Sequence, residues 1–153
     1  MTERTLTVSR FIDAPLATVW TVMSARMDEW FCPAPWRAET VALERRPGGR
    51  WAMKMLGPDG EDIRTEGLIL AWDEERRIVS TDSVDHEFNP RTPFMVGSWE
   101  VEAEGSGTRY TASARHWSDE DMEKHRAMGF EPGWSACADQ IARLSEEAAK
   151  SAA

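Results

Sequence analysis

Tyrosine is nearly missing from this chain, cysteine is scarce, and basic residues are outnumbered. One Tyr and two Cys stand against eight Trp and eight Met. Acids number 27 and bases 18, a formal net charge of −9. Phosphate binding is driven by Lys and Arg, so this balance argues against nucleic acid and against an anionic membrane surface as partners. No apolar run approaches the roughly 20 residues that a membrane helix needs. The opening residues, Met1-Thr2-Glu3-Arg4, contain no apolar h-region. A secretory signal is therefore not expected, and the cytoplasm is the expected location. Cys32 and Cys137 lie far apart without a partner motif and are expected to be free, partly buried thiols.

Chemical signatures are missing too. His86, His116 and His125 fall in no HxxxH, HxH or HExxH spacing, and two distant cysteines make no zinc motif, so no metal is expected. Neither GxSxG, nor GxGxxG, nor GxxxxGKS/T occurs, so no catalytic residue and no cofactor are assigned. Gly48-Gly49 is a lone pair whose place is a turn.

What is present suits one globular domain over 1–153. With 153 residues, about 69% of the unfolded chain's surface is buried on folding, enough for a core without disulfides or metals. Hydrophobic residues are 41% and charged residues 29%, a globular rather than a disordered profile. The eight Trp are spread over the whole chain, so they can meet only in a tertiary core or around a cavity.

Residues 4–12 alternate and predict a strand with Leu6 and Val8 on one face. Asp13-Ala14-Pro15 stops it. Leu16, Val19, Trp20 and Met23 at i, i+3, i+4 and i+7 then predict a short helix, and Met27, Trp30 and Phe31 a second one, ended by Pro33 and Pro35. Strands are predicted over 37–45, 50–56, 63–72, 76–84, 94–103 and 108–117. Their turns are Pro47-Gly48-Gly49, Gly57-Pro58-Asp59-Gly60 and Glu104-Gly105-Ser106-Gly107. Asp85 to Pro93 is irregular. Ser118-Asp119-Glu120-Asp121 has the pattern of a capping box, and Gly129 fits a helix end. Trp134, Cys137, Ala138, Ile141, Leu144 and Ala148 share one face of a last helix. Residues 148–153 are expected to fray.

Consecutive strands joined by short turns pair antiparallel, and their apolar face needs a cover. The fold class is therefore α+β: a curved antiparallel sheet of about seven strands around a long C-terminal helix, with two short helices after the first strand. Strand parity sets the inward face. Trp51, Met53 and Met55 oppose Arg50, Ala52 and Lys54, while Met95, Gly97, Trp99 and Val101 oppose Val96, Ser98 and Glu100. Tyr110, Ala112, Ala114 and His116 oppose Arg109, Thr111, Ser113 and Arg115. Trp72 falls on the parity of Leu68 and Leu70. Trp30 and Trp134 belong to helix faces that turn to the sheet.

Small residues beside large indoles on that face suggest walls around a void; the competing reading is a solid, interdigitated core. The candidate pocket residues are Trp30, Trp51, Met53, Met55, Trp72, Met95, Trp99, Tyr110, His116 and Trp134. Tyr110 and His116 are its polar handles. Six residues apart on one strand, they are separated by ~20 Å at about 3.3 Å per residue, so they cannot pair unaided. His86 and Asp85, in the irregular stretch, are expected in a solvated loop, with a place at a pocket mouth as the alternative.

The order of elements resembles the helix-grip fold of the START-like, birch-pollen-allergen-like superfamily, SRPBCC. More closely, the chain resembles the family of homologues of the heat-shock protein 90 ATPase activator. The matching pieces are Phe11-Ile12-Asp13-Ala14-Pro15 with Val19-Trp20, then Trp30-Phe31, then Arg46-Pro47-Gly48-Gly49. Gly57-Pro58-Asp59-Gly60, Gly67 and Met128-Gly129-Phe130-Glu131-Pro132-Gly133-Trp134 complete them, over residues 5–147. The resemblance implies an internal hydrophobic pocket for an apolar or aromatic small molecule. It leaves open a chaperone partner, a pocket enzyme of cyclase, dehydratase or hydrolase kind, and a homodimer.

Overall fold

The computed structural model describes residues 4–152. Met1-Thr2-Glu3, on which the expected absence of a signal rested, and Ala153 lie outside the described residues. Seven strands form one sheet: β1 (Thr5–Ile12), β2 (Arg37–Leu43), β3 (Arg50–Leu56), β4 (Asp62–Asp73), β5 (Arg77–Thr81), β6 (Met95–Glu104) and β7 (Gly107–His116). Their order is β1-β7-β6-β5-β4-β3-β2, and every neighbouring pair is antiparallel. Strands β2 to β7 are laid down in sequence. The chain therefore has to cross from one sheet edge to the other only once, between β1 and β2.

That crossing carries α1 (Leu16–Ala25), with Pro15 at its N-cap, where its missing N–H leaves no orphan donor. Val19, Trp20, Val22 and Met23 are buried, one face of the helix. The second expected helix is only a 3-10 turn, Met27–Glu29. The chain must reach β2 within a few residues, and Pro33 and Pro35 end any helical register. Trp30 closes the turn, its indole N–H shared between the Val22 and Met23 carbonyls at 3.2 and 3.3 Å.

After β7 come α2 (Asp119–Ala127) and α3 (Phe130–Ala152). The Ser118 hydroxyl accepts from the Asp121 N–H at 3.0 Å, satisfying one orphan donor of α2. Between the helices Gly129 has φ +93°, a left-handed conformation that favours glycine. Helix α3 buries Phe130, Ala138, Ile141, Ala142 and Leu144, and packs on β1 of the sheet and on α1. It runs on to Ala152, so residues 148–152 are helical where fraying was expected. Ala149 packs on the core and extends the apolar stripe by one turn. No helix among the described residues is long and apolar enough to cross a membrane.

One strand breaks the expected parity. In β4 the register slips between Ile69 and Ala71, so Ile69 faces Ser80 and Trp72 faces Ile78. Ile69 and Trp72 are both buried, while Leu70 is 44% exposed. A bulge inserts one extra residue and so returns a side chain to the face that simple alternation denies it. Trp72 thus does not share a face with Leu70.

Candidate functional site

The inner face of the sheet and α3 do not close completely on each other. Between them lies a cavity of about 340 Å³. Trp51, Met53 and Met55 of β3, Met95 and Trp99 of β6, and Tyr110 of β7 form its floor. Trp30, Phe31, Cys32 and Pro33 form one wall, and His125, Gly133, Trp134 and Cys137 the other. Alternation of side chains along the strands explains the floor; helical spacing brings Trp134 and Cys137 to the same side of α3.

The walls are aromatic and ordered. Phe31 meets Trp51 edge-on at 5.6 Å, and Trp51 meets Trp99 edge-on at 5.0 Å between centroids. Trp99 stacks on Trp134 at 5.7 Å with 12° between planes. Such offset and edge-to-face packing fixes each ring and leaves a flat, polarisable surface facing the void. Methionines at 53, 55 and 95 add adaptable apolar surface.

Polar groups are few inside. The Trp51 indole N–H is buried without a hydrogen-bond partner, an unused donor on a cavity residue. Burial pushes the Cys32 thiol up to about 11, and burial together with Cys32 pushes Cys137 up to about 12. Both are free and protonated at neutral pH, so they act as apolar lining rather than as nucleophiles. Burial raises the Tyr110 hydroxyl well above its usual range.

The rim is different. Thr65, Glu66 and Asp82 border both the cavity and a shallow depression shared with Arg64, Arg91 and Thr92. The Arg50 guanidinium, hydrogen-bonded and ion-paired with Glu66, holds its carboxyl below the usual range against the cost of burial. Asp82 Oδ1 accepts from the Phe94 and Met95 N–H groups at 2.9 and 3.3 Å, which ties the rim to the start of β6. Asp85 folds its own loop by accepting from the Glu87 and Asn89 N–H groups at 2.9 and 3.0 Å.

Of the ten residues singled out from sequence, eight border this cavity: Trp30, Trp51, Met53, Met55, Met95, Trp99, Tyr110 and Trp134. Trp72 does not. Its bulged strand turns it to Trp20 of α1, ring centroids 5.8 Å apart, and Glu74 accepts from both indoles at 2.7 and 2.9 Å. His116 is buried on the expected face but is absent from the lining. Its Nε2 lies 2.8 Å from Nδ1 of His125, and its Nδ1 lies 2.9 Å from the Arg4 carbonyl oxygen. His125 occupies the cavity wall in its place.

His125 escaped the sequence reading because α2 is highly polar and shows no inward stripe. The available signal was the short Trp117-Ser118 link, which folds α2 back over the end of β7. Cys32, Phe31 and Cys137 were likewise within reach, as neighbours of Trp30 and Trp134. Among the described residues no group of His, Cys, Asp and Glu gathers to hold a metal.

An antiparallel sheet gripping a long C-terminal helix over an apolar cavity is the architecture of the START-like, SRPBCC superfamily. Within it, the chain belongs to the family described as Activator of Hsp90 ATPase homolog 1-like protein, whose model matches residues 13–146. A crystal structure of a Nitrosomonas europaea protein superposes with TM-score 0.89 at 29% identity, over 96% of this chain and 97% of that one. A Mycobacterium smegmatis protein superposes with TM-score 0.78 at 30% identity, over 92% and 90%. An AHSA1-like protein from Aeromonas hydrophila shares the fold, with TM-score 0.70 at 15% identity over 94% and 93%. No curated protein matches the chain.

Proposed function

We propose that this protein binds a small apolar, aromatic molecule in the cavity between the sheet and α3. The observation that carries this reading is the wall itself: Trp30, Trp51, Trp99 and Trp134 border one void of about 340 Å³. That volume is at the lower end of small-molecule pockets, about 300–1,000 Å³, and suits a body of one or two rings. A two-ring hydrocarbon burying about 250 Å² gains ~6 kcal/mol at about 25 cal/mol per Å². Lost motion offsets part of that gain, so dissociation constants fall between the micromolar and millimolar ranges. The protonated thiols and a rim whose carboxylates are already engaged favour holding a ligand over transforming it. The free cysteines fit a reducing compartment such as the cytoplasm.

Titration with naphthalene, followed by indole fluorescence, tests this. Saturable change is expected, and Trp99→Ala weakens it by removing a wall. A solid-core Trp99 would instead cost about 3–5 kcal/mol on truncation, with no binding to lose. No saturable response at the solubility limit of naphthalene would remove the ligand-binding reading.

The family's description speaks of an activator of the Hsp90 ATPase, and that favours a second reading, contact with a chaperone. A rise in the ATP hydrolysis of Hsp90 on adding this protein would support it.

A further inference from the structure

With both rings neutral, the histidine pair at the cavity wall has a single hydrogen-bonding pattern. The Arg4 carbonyl can only accept, so Nδ1 of His116, 2.9 Å away, carries the proton. Nε2 of a neutral His116 is then a lone pair, and Nδ1 of His125, 2.8 Å from it, must be the donor. The remaining nitrogen of His125, Nε2, is left as an acceptor on a residue that borders the cavity. His125 is 8% exposed, and no side-chain or backbone partner for its Nε2 is present among the described residues. Three rings frame His125: Phe94 at 4.9 Å, Phe130 at 5.1 Å and Trp134 at 5.9 Å. They fix its plane. Burial, reinforced by His116, pushes His125 down to about 4, so the imidazole is neutral at pH 7.

Resting on the ligand-binding reading above, we propose that the cavity selects an aromatic body bearing a hydroxyl group, a phenol or an aryl alcohol, whose O–H donates to Nε2 of His125. An ether, ketone or carboxylate at that point has no proton to give and would set lone pair against lone pair. An unsubstituted hydrocarbon fits the walls but forgoes the hydrogen bond to that acceptor, which is worth about tenfold in affinity.

The test compares 1-naphthol, 1-methoxynaphthalene and naphthalene on the wild-type protein and on His125→Phe at pH 7. The expected result is naphthol binding about tenfold more tightly than the other two to wild type, with the difference lost in His125→Phe. Equal binding of all three by wild type, or a preference for naphthol that survives in His125→Phe, overturns the hydroxyl assignment and leaves the ligand-binding reading standing. Failure of all three to bind overturns both. Because His125→Phe also strands His116, imidazole 15N spectra of the wild type supply a second readout independent of the variant. Protonated Nδ1 on both rings is expected, with naphthol moving the His125 Nε2 resonance. A protonated His125 Nε2 in the free protein overturns the proposal.

Discussion

Gly97 supplies the space that the Trp99 indole fills: a Cβ at residue 97 would lie 2.7 Å from Cη2 of Trp99 and 3.0 Å from Cζ3. Both residues face inward on β6, two apart, so the ring folds back over the glycine and its other face is free to stack on Trp134. Gly97→Ala forces that ring out of its seat. Overpacking of this kind costs about 1–3 kcal/mol. Urea unfolding is expected to show that loss, with naphthalene binding weakened because the displaced indole intrudes on the cavity. Unchanged stability and unchanged binding would contradict this placement of Trp99.

Glu74 clasps two buried indoles, Trp20 from α1 and Trp72 from β4. Glu74→Ala leaves both N–H groups unpaired and is expected to lower stability by about 1–3 kcal/mol. Trp20 and Trp72 lie away from the cavity, so ligand affinity should stay within a factor of two. A stability loss accompanied by a large loss of affinity would mean that this end of the sheet also belongs to the site.

His125 makes the fold sensitive to acid. Its pKa falls from 6.5 to about 4 on folding, chiefly through burial and secondarily through His116. As pH falls, the unfolded chain takes up the proton first. Stability present above about 6.5 is therefore lost progressively down to about 4, by up to about 3 kcal/mol. Urea midpoints between pH 7.5 and pH 4.5 should fall more steeply for wild type than for His125→Phe, which lacks that imidazole. Parallel curves would contradict the buried neutral imidazole.

The two thiols should be counted by denaturation and hidden by folding. Two free thiols per chain are expected in unreduced, denatured protein. In the native protein at pH 7 alkylation by iodoacetamide should be slow, because only the thiolate reacts and both groups are held far above neutrality. Rapid native alkylation of Cys32 or Cys137 would show a more open cavity than the one described.

Regular alternation made the floor of the site legible in the sequence. Trp51, Met53 and Met55 lie on unbroken strand segments, as do Met95, Trp99 and Tyr110, and parity alone brings them to one face. Trp72 was misplaced because the bulge between Ile69 and Ala71 has no mark in composition; Leu70 and Ala71 look like any strand pair. His125 was missed for a different reason. Its inward direction comes from how α2 folds back on β7, a tertiary fact with no trace in a helix as polar as Asp119–Ala127. The expected second helix shrank to a 3-10 turn because Met27–Glu29 must hand over to Trp30 and then to two prolines.

The eight indole N–H signals of a 15N-labelled sample, followed during addition of 1-naphthol, test the central claim most directly. Those of Trp30, Trp51, Trp99 and Trp134 border the cavity and are expected to move together and saturate. Those of Trp20 and Trp72, clasped by Glu74, and of the half-exposed Trp117 are expected to stay in place. A titration that leaves the first four unmoved, or shifts only the last three, would contradict a ligand cavity between the sheet and α3.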